Sequence, residues 1–260
     1  MAGKVFKGHA SSDGNTRLSK PFLSIIIPAY NEEHRLPNTL EQVFRFVQAQ
    51  NYPAEVLIVE NGSQDRTFEI AQGFAEQHSQ FRVLQETVRG KGLAVKRGML
   101  EAHGDYRFMC DADFSMPVDE INRFLPPTLV DYDIAVASRE APGAIRYNEP
   151  YYRHLVGRIF NHLIRLLALP GLHDTQCGFK CFHGPVAEKL FECQTLTGWS
   201  FDVEVLYIAK KRGCKIIEMP IPWYFNPQSK ISVLKDSFRM LADLFKIRIN
   251  DLRGEYHLNC

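Results

Sequence analysis

The 260-residue sequence is short of long apolar runs, of charge imbalance and of ordered cysteine spacing. No stretch approaches the ~20 consecutive apolar residues that a membrane-crossing helix needs. The longest candidates, around LSIIIPAY and LLALPGL, are interrupted or too short, so the chain is not expected to span a bilayer. Lysine and arginine total 31 against 30 aspartate and glutamate, which removes any global electrostatic reason to expect nucleic-acid binding. Residues 1–20 lack an apolar h-region and read as a flexible basic tail, not a signal peptide. The six cysteines, Cys110, Cys177, Cys181, Cys193, Cys214 and Cys260, form no CxxC pair. Without an export signal they read as reduced, buried thiols of a cytosolic chain; a zinc site from Cys177, Cys181, His173 and His183 is the weaker alternative. A GxxxxGK[ST] loop is missing, as is a GxGxxG after the first strand, which disfavours kinase and dehydrogenase chemistry.

What is present is enough apolar residue, 45%, to bury a substantial core in one domain. LSIIIP at 23–28 is a continuous β-rich run, as expected for a parallel strand covered on both faces. Leu36, Leu40, Val43, Phe44 and Val47 then recur at helical spacing, with Pro37 tolerable in the first turn. VLIVE predicts a second strand, 66–77 a second helix, FRVLQ a third strand and 91–103 a third helix, with YRFMC and IAVAS as further strands. Such alternation predicts an α/β, mostly parallel, doubly wound sheet flanked by helices. Polar clusters follow the strands: AYNEE, NGSQD, RGKG, DADFS and SRE. Ligands of open α/β sheets bind beyond the carboxyl ends of the strands, so all five clusters are expected to face one cleft.

Asp111 and Asp113, one residue apart after YRFMC, can offer oxygens to one divalent cation. Asp in this pattern also suits a solvated turn or a helix cap. The neighbouring RGKG, with backbone amides and Lys91, suits a phosphate, and a diphosphate held by Mg²⁺ needs those parts together; the alternative for Arg89 and Lys91 is a solvated loop. Two segments, 151–169 and 231–252, are amphipathic and basic. The second carries Leu234, Phe238, Leu241, Phe245, Ile249 and Leu252 as an apolar stripe. Both segments suit either interfacial docking at a membrane or packing on the sheet.

The ordered set IIIPAYNEEHRL, IVENGSQDRT, RGKGLAVKRGM, DADFS, ASRE, DTQCGFK, WSFDVEVL and SKISVLKDSFRMLADLFKIR resembles the family-2 nucleotide-sugar glycosyltransferases, in the dolichyl-phosphate (polyprenyl-phosphate) β-glucosyltransferase branch, from about residue 23 to residue 250. The resemblance implies a GT-A (Rossmann-like) fold over 21–228, a UDP-glucose donor, Mg²⁺ or Mn²⁺, a dolichyl or polyprenyl phosphate acceptor and inversion at the anomeric carbon. The sequence departs from many members in carrying no transmembrane helix, so the C-terminal amphipathic helices at 229–260 are expected, from their composition, to contact a membrane surface and to place the protein peripherally on the cytoplasmic face. By the same resemblance Asp111 and Asp113 bind the metal; Pro28, Ala29, Tyr30, Glu32, Glu60, Asn61 and Lys91 bind the donor. Arg139, Arg153, Arg158 and Lys230 are the candidates for the acceptor phosphate, with Arg139 also counted as catalytic. Asp202 stands as a catalytic carboxylate alongside Asp174 and Glu204, for which structural hydrogen bonding is an equal alternative. A GDP-mannose or other hexose donor, and an inactive sugar-nucleotide or lipid-binding scaffold, are the competing functions.

Overall fold

In this computed structural model, which describes residues 20–113, 115–226 and 233–258, the periodic segments form elements close to where the sequence predicts them. β1 (Leu23–Ala29) leads to α1 (Leu36–Gln48), β2 (Ala54–Glu60) to α2 (Thr67–Gln77), β3 (Phe81–Gln85) to α3 (Lys91–Glu101), and β4 (Tyr106–Cys110) to a 3-10 segment at Val118–Phe124. Then come β5 (Ile134–Ser138), β6 (Ile145–Tyr147), α4 (Tyr151–Leu167), β7 (Phe179–His183), α5 (Gly184–Glu192) and α6 (Phe201–Lys211). β8 (Ile216–Pro220), β9 (Pro222–Tyr224), α7 (Val233–Leu252) and α8 (Glu255–Leu258) complete the chain.

Seven strands form one sheet in the order β3-β2-β1-β4-β7-β5-β8, and β6 pairs with β9 in a small separate ribbon. Apart from Ser24, whose hydroxyl donates to Glu55, β1 is apolar because both of its faces are covered. Ile25 and Ile27 join Val43 and Phe108 on one side of the sheet, while Ile26 joins Val95 and Met99 on the other. α1 turns Leu36, Leu40, Val43 and Val47 into the first of these layers, with Pro37 in its opening turn, where a missing N–H costs nothing. α3 lies close against the second layer at Gly98, where a Cβ would stand 2.4 Å from Ile26 Cγ2.

Parallel pairing holds for β3, β2, β1 and β4, and again between β5 and β8. β7 lies between these groups, antiparallel to both β4 and β5. Strand–helix alternation in the sequence does not predict it, because FKCFH carries a lysine in the middle of a buried run. Lys180 is 1% exposed and is tolerated because its ammonium donates to Asp202 Oδ1 at 2.6 Å and to the Cys177 carbonyl at 2.5 Å. Phe179 does the packing, edge-on to Phe108 at 4.5 Å and to Phe124 at 5.6 Å.

The apolar stripe read in the last long helix divides differently in three dimensions. α7 buries Met240, Leu244 and Ile247, while Phe245, Ile249 and Leu252 of the expected stripe are exposed. Leu234 and Phe238 have side chains outside the described set. Among the described residues no helix is long and apolar enough to cross a membrane. Cys110, Cys177, Cys181 and Cys214 are free thiols, and burial pushes Cys177 and Cys181 up to about 12, where they are inert. Cys193 is disulfide-bonded, which departs from the expectation of uniformly reduced cysteines.

Truncating Phe179 to Ala removes the ring that joins β7 to β4. A loss of roughly 3–5 kcal/mol in unfolding free energy is expected from the transfer and cavity contributions together. A urea midpoint within error of the wild type would show that β7 does not carry the centre of the sheet.

Candidate functional site

The carboxyl ends of β1, β2 and β4 open into a cavity of about 690 Å³. Four of the five polar clusters contribute to it: Tyr30 and Glu32 after β1, Asn61 after β2, Arg89 to Lys91 before α3, and Asp111 to Asp113 after β4. The fifth, around Arg139, does not line it. Two further walls come from Thr195–Trp199, ahead of α6, and from Arg239, Asp243 and Lys246 of α7.

Each wall is held by polar contacts. Asn61 donates from Nδ2 to the Val88 carbonyl at 2.8 Å and accepts the Gly90 N–H at 2.7 Å, so it fixes the loop that leads to Lys91. Arg89 lies over the Tyr30 ring at 4.4 Å. Glu32 receives Arg35 through Nε at 2.6 Å and Nη2 at 2.8 Å, a two-pronged pair that the sequence reading did not single out. Glu60 is buried at the end of β2, accepts the Ser63 N–H, and does not line the cavity.

Lys91 and the two aspartates form the charged centre. The Lys91 ammonium stands 2.6 Å from Asp111 Oδ1 and 5.2 Å from the centre of the Trp199 ring. Burial alone lowers the Lys91 pKa; Asp111, Asp202 and Asp113 outweigh it and the net shift is upward. Asp113 is raised, first by burial and then by the charge of Asp111, although the Ser115 N–H and Lys91 act against this. Gly178 provides the room for Asp111: a Cβ there would lie 2.0 Å from Asp111 Oδ2. Its carbonyl also accepts the Asp111 N–H at 3.1 Å. Two hard carboxylates that line one cavity with a lysine between them have the donor chemistry of a divalent-cation site completed by other oxygens.

The remaining acids lie behind this centre. Asp202, at the start of α6, is 4% exposed and paired with Lys180; burial raises its pKa while Lys180 and Lys91 oppose the rise. Glu204 accepts the Thr195 and Leu196 N–H groups at 3.0 and 2.7 Å and the Tyr256 hydroxyl at 2.9 Å, which ties the 195–199 wall to α6 and α8. Asp174 receives Arg139 through Nε at 2.6 Å and Nη2 at 2.9 Å, and Arg139 also faces the Trp223 ring at 5.4 Å. Arg158 is exposed on α4 and does not line the cavity. Lys230 and the side chain of Arg153 lie outside the described residues.

The sequence reading therefore locates the floor of the cavity and misses Arg35, Gly178, Lys180 and the α7 wall. The spacing of Arg239, Asp243 and Lys246, one helical face, is the signal that could have found that wall.

The Asp174–Arg139 pair sets a pH dependence. Burial pushes Asp174 up, but the charge and hydrogen bonds of Arg139 prevail and hold it at about 2, below the ordinary 3.8. A carboxylate with a depressed folded pKa contributes stability that is present above its unfolded pKa and is lost as pH falls through the folded one. Unfolding free energy should therefore drop by on the order of 2 kcal/mol between about pH 4 and about pH 2 beyond the drop seen in Asp174→Asn. Parallel pH curves for the two proteins would remove this role.

A family profile described as Glycosyl transferase family 2 matches residues 24–191. The chain is 34% identical over 251 residues to a dolichyl-phosphate beta-glucosyltransferase of Drosophila melanogaster, covering 91% of this chain and 77% of that protein. It is 30% identical to the protein of the same name from Homo sapiens, covering 91% and 78%, and 30% identical to that from Saccharomyces cerevisiae, covering 97% and 84%. Among solved structures, glucosyl-3-phosphoglycerate synthase from Mycobacterium tuberculosis in complex with UDP superposes with a TM-score of 0.64 at 17% identity, over 87% of this chain and 80% of that one. The same enzyme in complex with Mn²⁺ and UDP-glucose superposes with a TM-score of 0.61 at 15% identity, over 88% and 78%.

Proposed function

The chain belongs to glycosyltransferase family 2, and from that membership and the cavity we propose that it transfers glucose from UDP-glucose to a dolichyl or polyprenyl phosphate at a membrane surface. The fold is GT-A-like and the protein is a glycosyltransferase. The observation that carries the substrate reading is the meeting of Asp111, Asp113 and Lys91 with the Arg89–Gly90 loop in one cavity. The relatives' names supply the acceptor, and the Mn²⁺ and UDP-glucose complexes of the structurally similar synthase support a metal and this donor.

In this reading Tyr30 and Asn61 border the nucleoside, and Lys91 and the loop before it lie along the diphosphate. Asp111 and Asp113 would hold Mg²⁺ or Mn²⁺, which when bound neutralises charge on a leaving diphosphate without proton transfer. An oxygen of the acceptor phosphate attacks the anomeric carbon from the side opposite UDP. The bond from that carbon to the β-phosphate oxygen breaks, UDP leaves with the electron pair, and the configuration inverts. A phosphate monoester with a second pKa near ~6 is largely dianionic at neutral pH, so the attack needs no strong general base. That agrees with the position of Asp202, which faces Lys180 behind the cavity and acts as a positioning residue through Lys91. Arg139, committed to Asp174, is likewise assigned to positioning the 174–180 segment, whose Gly178 accommodates Asp111.

The membrane surface is met, in this reading, by the faces that the sheet leaves uncovered. α4, which packs along α7, exposes Tyr151, Tyr152, Leu155 and Ile159 together with Arg158 and Arg165, and α7 adds Phe245, Ile249 and Leu252. Apolar insertion and attraction of the cations to the anionic lipids of a cytoplasmic leaflet add together.

Incubation with Mn²⁺, a short polyprenyl phosphate and either UDP-glucose or GDP-mannose, followed by mass analysis of the lipid, tests the reaction. A hexosylated lipid from UDP-glucose alone is the expected result; transfer from GDP-mannose moves the donor, and no transfer from either overturns the proposed reaction. Asp113→Asn should lower turnover by roughly a hundredfold and Asp111→Asn should also lose activity, both without loss of fold. Near-normal rates in Asp113→Asn and in chelated wild type would remove the metal pair. In vesicle flotation the protein should rise with anionic lipid at low salt and less at high salt, because exposed charges are screened over about 8 Å at physiological ionic strength. A protein that stays in solution under every condition has no peripheral attachment.

A further inference from the structure

α7 has three faces with different surroundings. Met240, Leu244 and Ile247 are packed in the core, Phe245, Ile249 and Leu252 are exposed, and Arg239, Asp243 and Lys246 line the cavity. The third face is polar at i, i+4 and i+7, the spacing that aligns side chains along one side of a helix. Its position is anchored, since the Ser200 hydroxyl donates to Asp243 Oδ2 at 2.7 Å.

The two sides of the cavity differ in charge. On the sheet side every cation has a local use: Arg35 is paired with Glu32, Lys91 with Asp111, and Arg89 lies on Tyr30. The acids there match the cations in number, so before any cation binds this side carries no net positive charge. On the α7 side two cations accompany one acid, and that acid already accepts from Ser200. Among the described residues neither Arg239 nor Lys246 has a hydrogen-bond or ion-pair partner. An unpaired guanidinium and an unpaired ammonium on one helical face, lining a cavity and held there by a tethered helix, have the chemistry of a phosphate clamp.

We propose that Arg239 and Lys246 of α7 form a phosphate-binding wall of the cavity that Asp111 and Asp113 also line. The proposal rests on the reading of the cavity as a glycosyl-transfer site, in which phosphate groups come from two sources, the diphosphate of the donor and the monoester of the acceptor. Both ligands are anionic, and the reacting phosphates must approach one another. A wall of surplus positive charge in the same cavity lowers the repulsion that this approach creates. The same helix carries the exposed apolar face, so a lipid-bearing phosphate that follows α7 from the surface reaches Lys246 and Arg239 within the cavity.

The test compares Arg239→Gln, Lys246→Gln and the double variant with Lys189→Gln, a charge loss on α5 outside the cavity. UDP affinity is measured calorimetrically with Mn²⁺, and the KM for a short polyprenyl phosphate at saturating donor. Since both side chains are exposed and unpartnered, thermal midpoints should match the wild type. Each cavity variant should weaken one phosphate ligand by roughly tenfold, the scale of one charge-assisted contact, with Lys189→Gln unchanged. A raised UDP Kd assigns the wall to the donor, and a raised acceptor KM with unchanged UDP binding assigns it to the acceptor. Arg239→Lys should recover part of the loss. If wild type binds UDP and the double variant matches it in both measurements within twofold, the proposal is overturned and the glycosyl-transfer reading stands. If wild type binds no UDP and transfers no sugar, both fall together.

Discussion

Two carboxylates one residue apart repel each other, and the end of β4 puts Asp111 and Asp113 in a cavity where water screens them poorly. Burial and the neighbouring charge both raise Asp113. The counterweight is Lys91, 2.6 Å from Asp111, whose own burial is outweighed by three aspartates. One of these is Asp202, and Asp202 is buried against Lys180. The centre is thus a chain of alternating charges, Asp111, Lys91, Asp202 and Lys180, that runs from the cavity into the middle of the sheet. None of its buried members is tolerable without the next, because an uncompensated charge in the interior costs several kcal/mol.

That dependence explains why β7 interrupts a parallel sheet. The antiparallel strand brings Lys180 beneath α6, and the turn before it brings Gly178 against the Asp111 carboxylate, at a position where any side chain would collide. Arg139 and Asp174 join the end of β5 to the start of the same segment. The residues between Asp174 and Lys180 therefore shape the surroundings of Asp111 from behind without lining the cavity. Substitutions in this segment displace Asp111, since a Cβ at Gly178 already meets its carboxylate.

Above the sheet, α7 joins events that a simpler fold would separate. Its packed face fixes it to the core, its polar face completes the cavity, and its exposed apolar residues belong to a helix that packs along α4. A water-soluble donor and a lipid acceptor must meet at one point. In the proposed reading, a helix that borders both the surface and the cavity sets the height of that point relative to the membrane.

Much of this was legible in the sequence. The apolar run of β1, the helical period of α1, the alternation up to β4 and the clusters at the strand ends all depend on neighbours within a few residues, and local periodicity reports them. The placement of Asp111, Lys91, Tyr30 and Asn61 in one cavity followed from the rule that clusters beyond parallel strands converge. What the sequence could not report were relations between distant residues. The strand at Phe179–His183 was hidden because Lys180 looks solvated until Asp202, 22 residues later, is seen to neutralise it. Glu60 and the Arg139 cluster lie beside strands whose neighbours converge, yet their own partners draw them out of the cavity. α7 shows amphipathic period in the sequence, but which of its faces meets the core, the cavity or the solvent was decided by the sheet it packs on. Charge compensation and packing direction act through space, and only the tertiary structure determines which residues are close enough to exert them.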